Sequence, residues 1–492
     1  MLLHTDVQKR SDAMKDNSRS VAIEDHALER VPDSERKGWL ALSWNTAGIV
    51  TTLVQLFLGA LVTFVAGFKI AILAGATVTI AGGLLGWACG HVAYRSGLSS
   101  TVMSRYFGFG QKGSIISSLI FAFMIIGFLA LENALLYRGF IFYFGIADTT
   151  LARIVIYGLL SAAWVLLTAY GFALVARVSS ITLVLFLAVL AYIAHDVISG
   201  TGLAATDLFS FGSQFPASVL QSMGVESDLQ KFIFAVNVLV GSAGALALVD
   251  ADLGRYARRS RDIGYAALIG NLMMDVLMLG LGGIIMYAGI PALVQFYMHT
   301  AGMTHEAAMH ASLQSPDSVT AAFVVFGGAL GALLMVLAQS KAQVINTYSA
   351  SLSLSNLFDA INVRPGRLTF VIVANVIGLL MLYGKILALV NSWITILGVL
   401  TTAFAGIIVA DFFIVRRFSR ELDTNLNEPA EAVNWAGVIT SIAAVVASHY
   451  FLGRFVPVEA IATMGICVVL YPALRLTVFR PARTGRAVSA GL

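Results

Sequence analysis

Charge is scarce in this chain. Lys, Arg, Asp and Glu make up 12% of the 492 residues and apolar residues 58%, far from the balance of a soluble globular domain. Water is therefore not expected to be its main solvent. Cysteine is scarcer still: Cys89 and Cys467 both lie inside apolar runs, which argues against a disulfide framework or a cysteine-based metal site. The first 36 residues are polar and begin with no cleavable signal pattern, so they read as a flexible cytoplasmic tail.

Catalytic signatures are missing too. Gly108-Phe109-Gly110-Gln111-Lys112-Gly113 has three glycines at dinucleotide-binding spacing, but no strand precedes it and an apolar run follows. His305-Glu306-Ala307-Ala308-Met309-His310 places its histidines five apart rather than four, so they do not share a helix face. With no nucleophile elbow or phosphate-binding loop, neither an enzyme nor a cofactor is expected. A membrane sensor would carry a soluble output domain, for which neither tail has the length.

What is abundant is long apolar sequence. Crossing ~30 Å of hydrocarbon takes roughly 20 helical residues, and only helices or closed barrels satisfy the backbone there. Twelve stretches qualify: Trp39–Ala66, Ala71–Tyr94, Ser114–Phe144, Leu151–Val175, Ile181–Ile198, Phe232–Val249, Ile263–Tyr287, Val319–Ala338, Leu368–Leu382, Leu387–Val415, Trp435–Tyr450 and Val458–Val478. With the amino terminus inside, the cytoplasmic loops collect Arg95, Arg105, Lys112, Arg177, Arg255, Arg258, Arg259, Arg261, Arg364, Arg367, Arg416, Arg417 and Arg420. Val294 to Asp317, an outer loop, has no Lys or Arg. This positive-inside bias predicts a multi-pass protein of the plasma (inner) membrane with both termini cytoplasmic. The net charge of +4 needs no nucleic acid to explain it, since the basic excess sits in short loops facing anionic membrane lipid.

Two spans carry candidate breaks. The sixth contains Gly241-Ser242-Ala243-Gly244, whose freed backbone groups could line a cavity, or whose small residues could instead let helices pack closely. The first has a weaker candidate near Ala47-Gly48, followed by Thr51 and Thr52. Two breaks five helices apart would suit two five-helix repeats of opposite topology.

Several ionisable residues lie in or beside apolar runs. Glu132, deep in the third span, costs on the order of 3 kcal/mol unless it faces a cavity or a partner. Phe128 shares its face at i, i+4 spacing, offering a stacking surface beside an acceptor for a flat nitrogen-bearing ring. A structural role for a protonated Glu is the alternative. Asp275, mid-span in the seventh, could carry a coupling proton or join two helices. Lys341 follows the eighth apolar run, where it could snorkel to the interface.

Several segments resemble one family. Val31-Pro32 with Ser34, Arg36-Lys37-Gly38 and Leu40-Ala41-Leu42 are similar to the amino-terminal entry of bacterial cytosine permeases. So are Ser104 to Ser114 before the third span, Ala251-Asp252 with Arg255-Tyr256, Trp393, Ala410-Asp411 with Arg416-Arg417, and Val433-Asn434-Trp435. Same order and spacing over most of the chain suggest the nucleobase:cation symporter-1 family of purine and cytosine permeases.

The resemblance implies an all-α integral membrane protein with a leucine-transporter-like core of ten helices over residues 37–420, in inverted repeats of about 37–200 and 230–420. Two further helices over 433–480 and a cytoplasmic tail over 481–492 complete it. It implies a small-molecule substrate held between helices one, three, six and eight, and a coupling proton or cation. Ile125 and Phe128 stand where cytosine permeases have Gln and Trp, Ala243 replaces their helix-six aromatic, and Ala338 or Gln339 their helix-eight Asn. Glu132 stands where hydantoin carriers have Gln. The family's sodium site maps to backbone near Gly48 and Thr51 and to two hydroxyl positions that here are Lys341 and Ala342. An ammonium group there would exclude sodium by repulsion. The expectation is a secondary-active importer of a nucleobase or related heterocycle, sodium-independent or proton-coupled through Glu132, Asp275 or Lys341. The other reading keeps the fold and carries an amine or amino acid.

Overall fold

Apart from Thr51–Thr52, residues 170–171 and the end residues Val458 and Val478, the apolar stretches lie on helix in the computed structural model, which describes residues 28–169, 172–418, 426 and 428–480. Residues 1–27 and 481–492 of the two expected tails, Arg420 and the side chain of Arg177 lie outside the described residues. In chain order the helices are α1 (Trp39–Val50), α2 (Leu53–Ala66), α3 (Phe68–Ser96), α4 (Ser100–Tyr106), α5 (Ser114–Phe144), α6 (Thr150–Ala169), α7 (Phe172–Thr201), α8 (Asp228–Gly254), α9 (Ser260–Leu272), α10 (Leu279–Ala301), α11 (His305–Gln314), α12 (Ser318–Asp359), α13 (Arg367–Tyr383), α14 (Val390–Ala410), α15 (Trp435–Val446) and α16 (Glu459–Thr477). Among the described residues, nine helices are long and apolar enough to cross a membrane. The pair α1 and α2 passes that test together, and α13 and Trp435–Phe451 are shorter apolar helices.

The first span is broken. Val50 ends α1, Thr51 (φ −89°, ψ 77°) and Thr52 (φ −129°, ψ 166°) leave helical geometry, and α2 departs at 68°. Two β-branched residues in succession hold helix poorly. Thr51 adds a local alternative, its hydroxyl donating to Ala47 O at 2.9 Å.

The sixth span is not broken, which corrects the expectation drawn from its glycines. Asp228 to Gly254 is one helix, started by a Ser227/Gln230 capping box. Its small residues serve close packing on two sides. A methyl at Gly241 would collide with the Ile394 carbonyl of α14, and one at Gly244 with the Thr401 hydroxyl. Ala243 faces Gly82 of α3. Small residues at a membrane helix interface let backbones approach, and dispersion contacts follow.

The eighth span also differs from its expected bounds. Rather than ending at Ala338, α12 runs to Asp359, with its one kink at Gly328 (φ 49°, ψ −127°), a conformation that favours glycine. Its second half is rich in polar residues, which is why apolar composition stops short. Those residues are buried and paired inside the bundle: Gln343 donates to Leu129 O (2.9 Å) and Asn133 Oδ1 (2.7 Å), and Asn356 to Ser118 Oγ (2.7 Å).

The end of the bundle that carries the chain's amino terminus is tied together by polar contacts. Val31 N donates to Gly97 O (3.0 Å), Lys37 N to Tyr256 O (2.6 Å) and Arg258 N to Lys37 O (2.9 Å). Val31 is 4% exposed. Residues 31–36, expected to be part of a flexible tail, are therefore, with Lys37, a strap over the α3–α4 and α8–α9 connections. Arg105 of α4 meets Asp359 at 2.7 Å, joining that connection to the end of α12.

Candidate functional site

A broken span exposes two opposite helix ends: unpaired carbonyls at the close of α1 and unpaired amides at the start of α2, with the dipole positive at the latter. Side chains of the protein lie at both ends. At the α2 start, the Glu132 carboxyl group of α5 lies close to the Thr52 side chain and the Val54 backbone amide. The Gln339 amide of α12 donates to this carboxyl group, and to the Glu132 carbonyl at 3.3 Å. At the α1 end, Lys341 of α12 donates to Thr51 Oγ1 at 2.6 Å, its ammonium 5.2 Å from the centre of the Phe186 ring. Glu132 and Lys341 are each 2% exposed and close enough to interact electrostatically. Acid at the positive end and ammonium at the negative end is the arrangement a helix dipole favours.

Beside the break lies a cavity. Thr52 and Gln55 form one side, Phe128 and Glu132 of α5 another, Ser242 of α8 a third, and Ala342 with Asn346 of α12 a fourth. On α5, α8 and α12 alike, the lining residues run from mid-helix toward the end that carries the amino-terminal strap. Phe128 is braced edge-on by Trp393, ring centres 4.9 Å apart at 86°, which presents a fixed aromatic surface. Gln55 Nε2 donates to Ser242 Oγ at 3.4 Å across the cavity. Behind Glu132, Asn133 Oδ1 accepts from Trp164 Nε1 (2.8 Å) and Gln343, fixing α5 against α6 and α12.

The residues singled out from sequence divide unevenly. Phe128, Glu132, Ser242 and Ala342 line the cavity, as does Ile125. Gln339 reaches it only through Glu132. Lys341 and Thr51 come together at the break, one turn beyond buried Gly48. Gly241, Ala243 and Gly244 do not line the cavity, since they pack against α14 and α3. Ala338 is buried away from it. Asp275 sits in a π-helical turn, Met273–Met278, directly after Met274, which does line the cavity. Sequence reading named Thr52 only as following the candidate break, and passed over Gln55 and Asn346. Gln55 is findable as a polar residue inside an apolar run, the same signal that exposes Glu132; Asn346 lies beyond the expected end of its span.

Comparison with known proteins settles the family. A family model for permeases of cytosine/purines, uracil, thiamine and allantoin matches residues 31–468, well over half of the chain. The chain belongs to this permease family. This permease is also similar in structure to Mhp1, a nucleobase-cation-symport-1 transporter, in a closed conformation with bromovinylhydantoin bound. Identity is 18% over 92% of this chain and 95% of that one, with a TM-score of 0.66. Mhp1 in its inward-facing conformation aligns at 17% identity over 90% and 91%, TM-score 0.64. A sodium-coupled sialic acid symporter aligns at 12% identity over 93% of each chain, TM-score 0.58. At these identities the likeness establishes the fold. No curated protein matches the permease significantly by sequence. Family and neighbours are transporters rather than enzymes, so the permease is a multi-pass membrane transporter of the cytosine/purine class.

Proposed function

We propose that this permease imports a nucleobase or related small nitrogen heterocycle by alternating access, without sodium. The observation that carries the reading is the break in the first span with Glu132 beside the start of α2 and Lys341 on the Thr51 hydroxyl at the close of α1.

An open helix start draws anions, whether carboxylate or phosphate. Here a side-chain acid takes that place, so an anionic ligand meets an occupied end, and a ligand with N–H donors meets an acceptor. Phe128 supplies the ring-stacking wall, while Gln55 and Asn346 supply amides able to donate and accept along one edge of a planar heterocycle. A zwitterionic amino acid fits this chemistry less well than an amine, because its carboxylate would face Glu132. Lys341 brings the positive charge that a bound sodium would bring, and a second cation beside it would be repelled.

In this reading the fold is the twelve-span one: ten helices over residues 37–420 in inverted repeats of about 37–200 and 230–420, with two more over 433–480. Both termini face the cytoplasm, the basic loops lie inside, and the protein belongs to the plasma membrane. Import then begins with the cavity open to the outer face and ends with it open toward the strap.

The test is uptake of labelled cytosine, adenine, uracil, thiamine and allantoin by cells expressing the chain, with sodium present and with choline in its place. Accumulation of one or more that is indifferent to the exchange is expected, with Glu132→Gln altering the preference or its pH dependence. Uptake that disappears in choline removes the sodium-free mechanism, and a Glu132→Gln profile matching wild type removes the acid from recognition.

A further inference from the structure

Behind the cavity wall, three buried polar groups lie along one face of α3 with no partner for their acceptor atoms. Asp275 of the π-helical turn is 0% exposed and neither carboxyl oxygen has a hydrogen-bond partner. Asn271, one turn earlier, is 0% exposed; its amide nitrogen donates to Ala267 O at 2.8 Å, but its Oδ1 accepts nothing. Asp250 of α8 is 0% exposed, and again both oxygens are unpartnered.

All three meet the same glycine-faced stripe. Gly75 packs on the Asp275 backbone carbonyl, Gly82 on Asn271 Oδ1 and Gly86 on Asp250 Oδ2, so closely that a methyl at any of them would collide. Thr79, between the first two, donates to the Asn271 carbonyl at 3.4 Å. From Gly75 to Gly86 is 11 residues, about 16 Å along a helix at its standard rise. The row begins beside Met274 and ends beside Val249, both cavity-lining, and Asp250 lies four residues from the end of α8.

Unpaired ionised carboxylates in a membrane interior are too costly to persist, so each acid holds a proton or a cation. A metal cation with its oxygen shell needs space and ligands that a glycine face in contact does not leave. The proton is the cation that binds without a cavity. Once protonated, a carboxyl group donates, and Asn271 Oδ1, held against Gly82 between Gly75 and Gly86 on the same face of α3, is an unused acceptor.

We propose that Asp275, Asn271 and Asp250 form a proton-binding track in the α3–α8–α9 bundle, distinct from the ligand cavity, which loads and releases protons. In the transport reading above, on which only this role rests, the track holds the coupling proton. Among the described residues the titratable group facing Asp250 is Cys89 of α3, and none faces Asp275. The neighbouring side chains from α9, Ile263 and Ala267, are apolar.

Infrared difference spectroscopy between mildly acidic buffer, above the range in which exposed carboxyl groups titrate, and alkaline buffer, on the full chain in lipid nanodiscs, reads proton binding by buried groups without any substrate. Wild type should show the carbonyl stretch of protonated carboxyl groups in acid, lost in alkali and shifted when the protein is made with isotope-labelled aspartate. Asp275→Asn and Asp250→Asn should each remove one component. Difference spectra of these variants that superimpose on wild type overturn the proposal. So does a wild-type spectrum with no aspartate-sensitive carboxyl band, or one whose band persists unchanged in alkali. The isotope measurement stands on wild type alone, so a variant that fails to fold does not shelter the idea, and failed uptake of a nucleobase leaves it untouched.

Discussion

The first and sixth spans of this permease carry similar mid-membrane sequence, small residues around Ala47-Gly48 in one and Gly241 to Gly244 in the other, yet they fold differently. The first breaks at Thr51–Thr52 and bends by 68°. The sixth stays one helix of 27 residues. Glycine content does not separate them; what stands opposite does. Gly241 and Gly244 face backbone and hydroxyl of α14 at contact distance, so an unbroken helix gains packing there. The first span faces Glu132 beside the start of α2 and Lys341, which donates to the Thr51 hydroxyl at the close of α1. A break in lipid persists where charges of the right sign meet its two ends.

Four substitutions would break or sharpen this contrast. Lys341→Met removes the buried donor to Thr51 Oγ1 at the close of α1, so stability should fall by about 1.5–3 kcal/mol, read as a lower melting temperature of the purified protein. A change within experimental error would mean the ammonium is not needed at the break. Gly241→Ala pushes a methyl into the Ile394 carbonyl, a loss of roughly 1–3 kcal/mol. Because this residue packs rather than binds, ligand preference should be kept, and a changed preference at normal stability would return it to the binding site. Thr51→Val keeps the branched shape but deletes the acceptor for Lys341, costing about 1–2 kcal/mol; a melting curve identical to wild type would discount the bond.

The smallest effect belongs to Asp148, in the connection between α5 and α6, which accepts from Arg153 (2.7 and 2.9 Å), Tyr137 (2.6 Å) and Arg138 (3.1 Å). Hydrogen bonding from Arg153, foremost, holds its carboxyl group down at about 2. Its contribution is therefore complete above the usual carboxylate range and fades as pH falls toward that value. Partly exposed, it should be worth about 0.2–1 kcal/mol, measured as the difference between Asp148→Asn and wild type at neutral pH. A larger loss than at Thr51 would mean that charges at the edge, rather than at the break, hold the bundle.

Much of the architecture was legible in the residues, because lipid imposes a simple length and polarity rule on spans. Glu132 and Lys341 were legible for the same reason: charge in or next to an apolar run has to be explained. What stayed hidden depends on neighbours in space. Gln343, Asn346 and Asn356 look like loop residues until Asn133, Leu129 and Ser118 are seen beside them. Likewise Gly241 to Gly244 reads equally as break or seam until Ile394 and Thr401 are placed. The Gly328 kink has no flanking polar signal at all.

The central claim is that side chains, not bound ions, serve the break at Thr51–Thr52. Thermal unfolding of the purified full chain in sodium chloride and in choline chloride tests it most directly, since an ion bound to the native state raises its melting temperature. The two curves should coincide for wild type, and Lys341→Ala should acquire stabilisation by sodium. Sodium-dependent stabilisation of the wild-type protein would contradict the account.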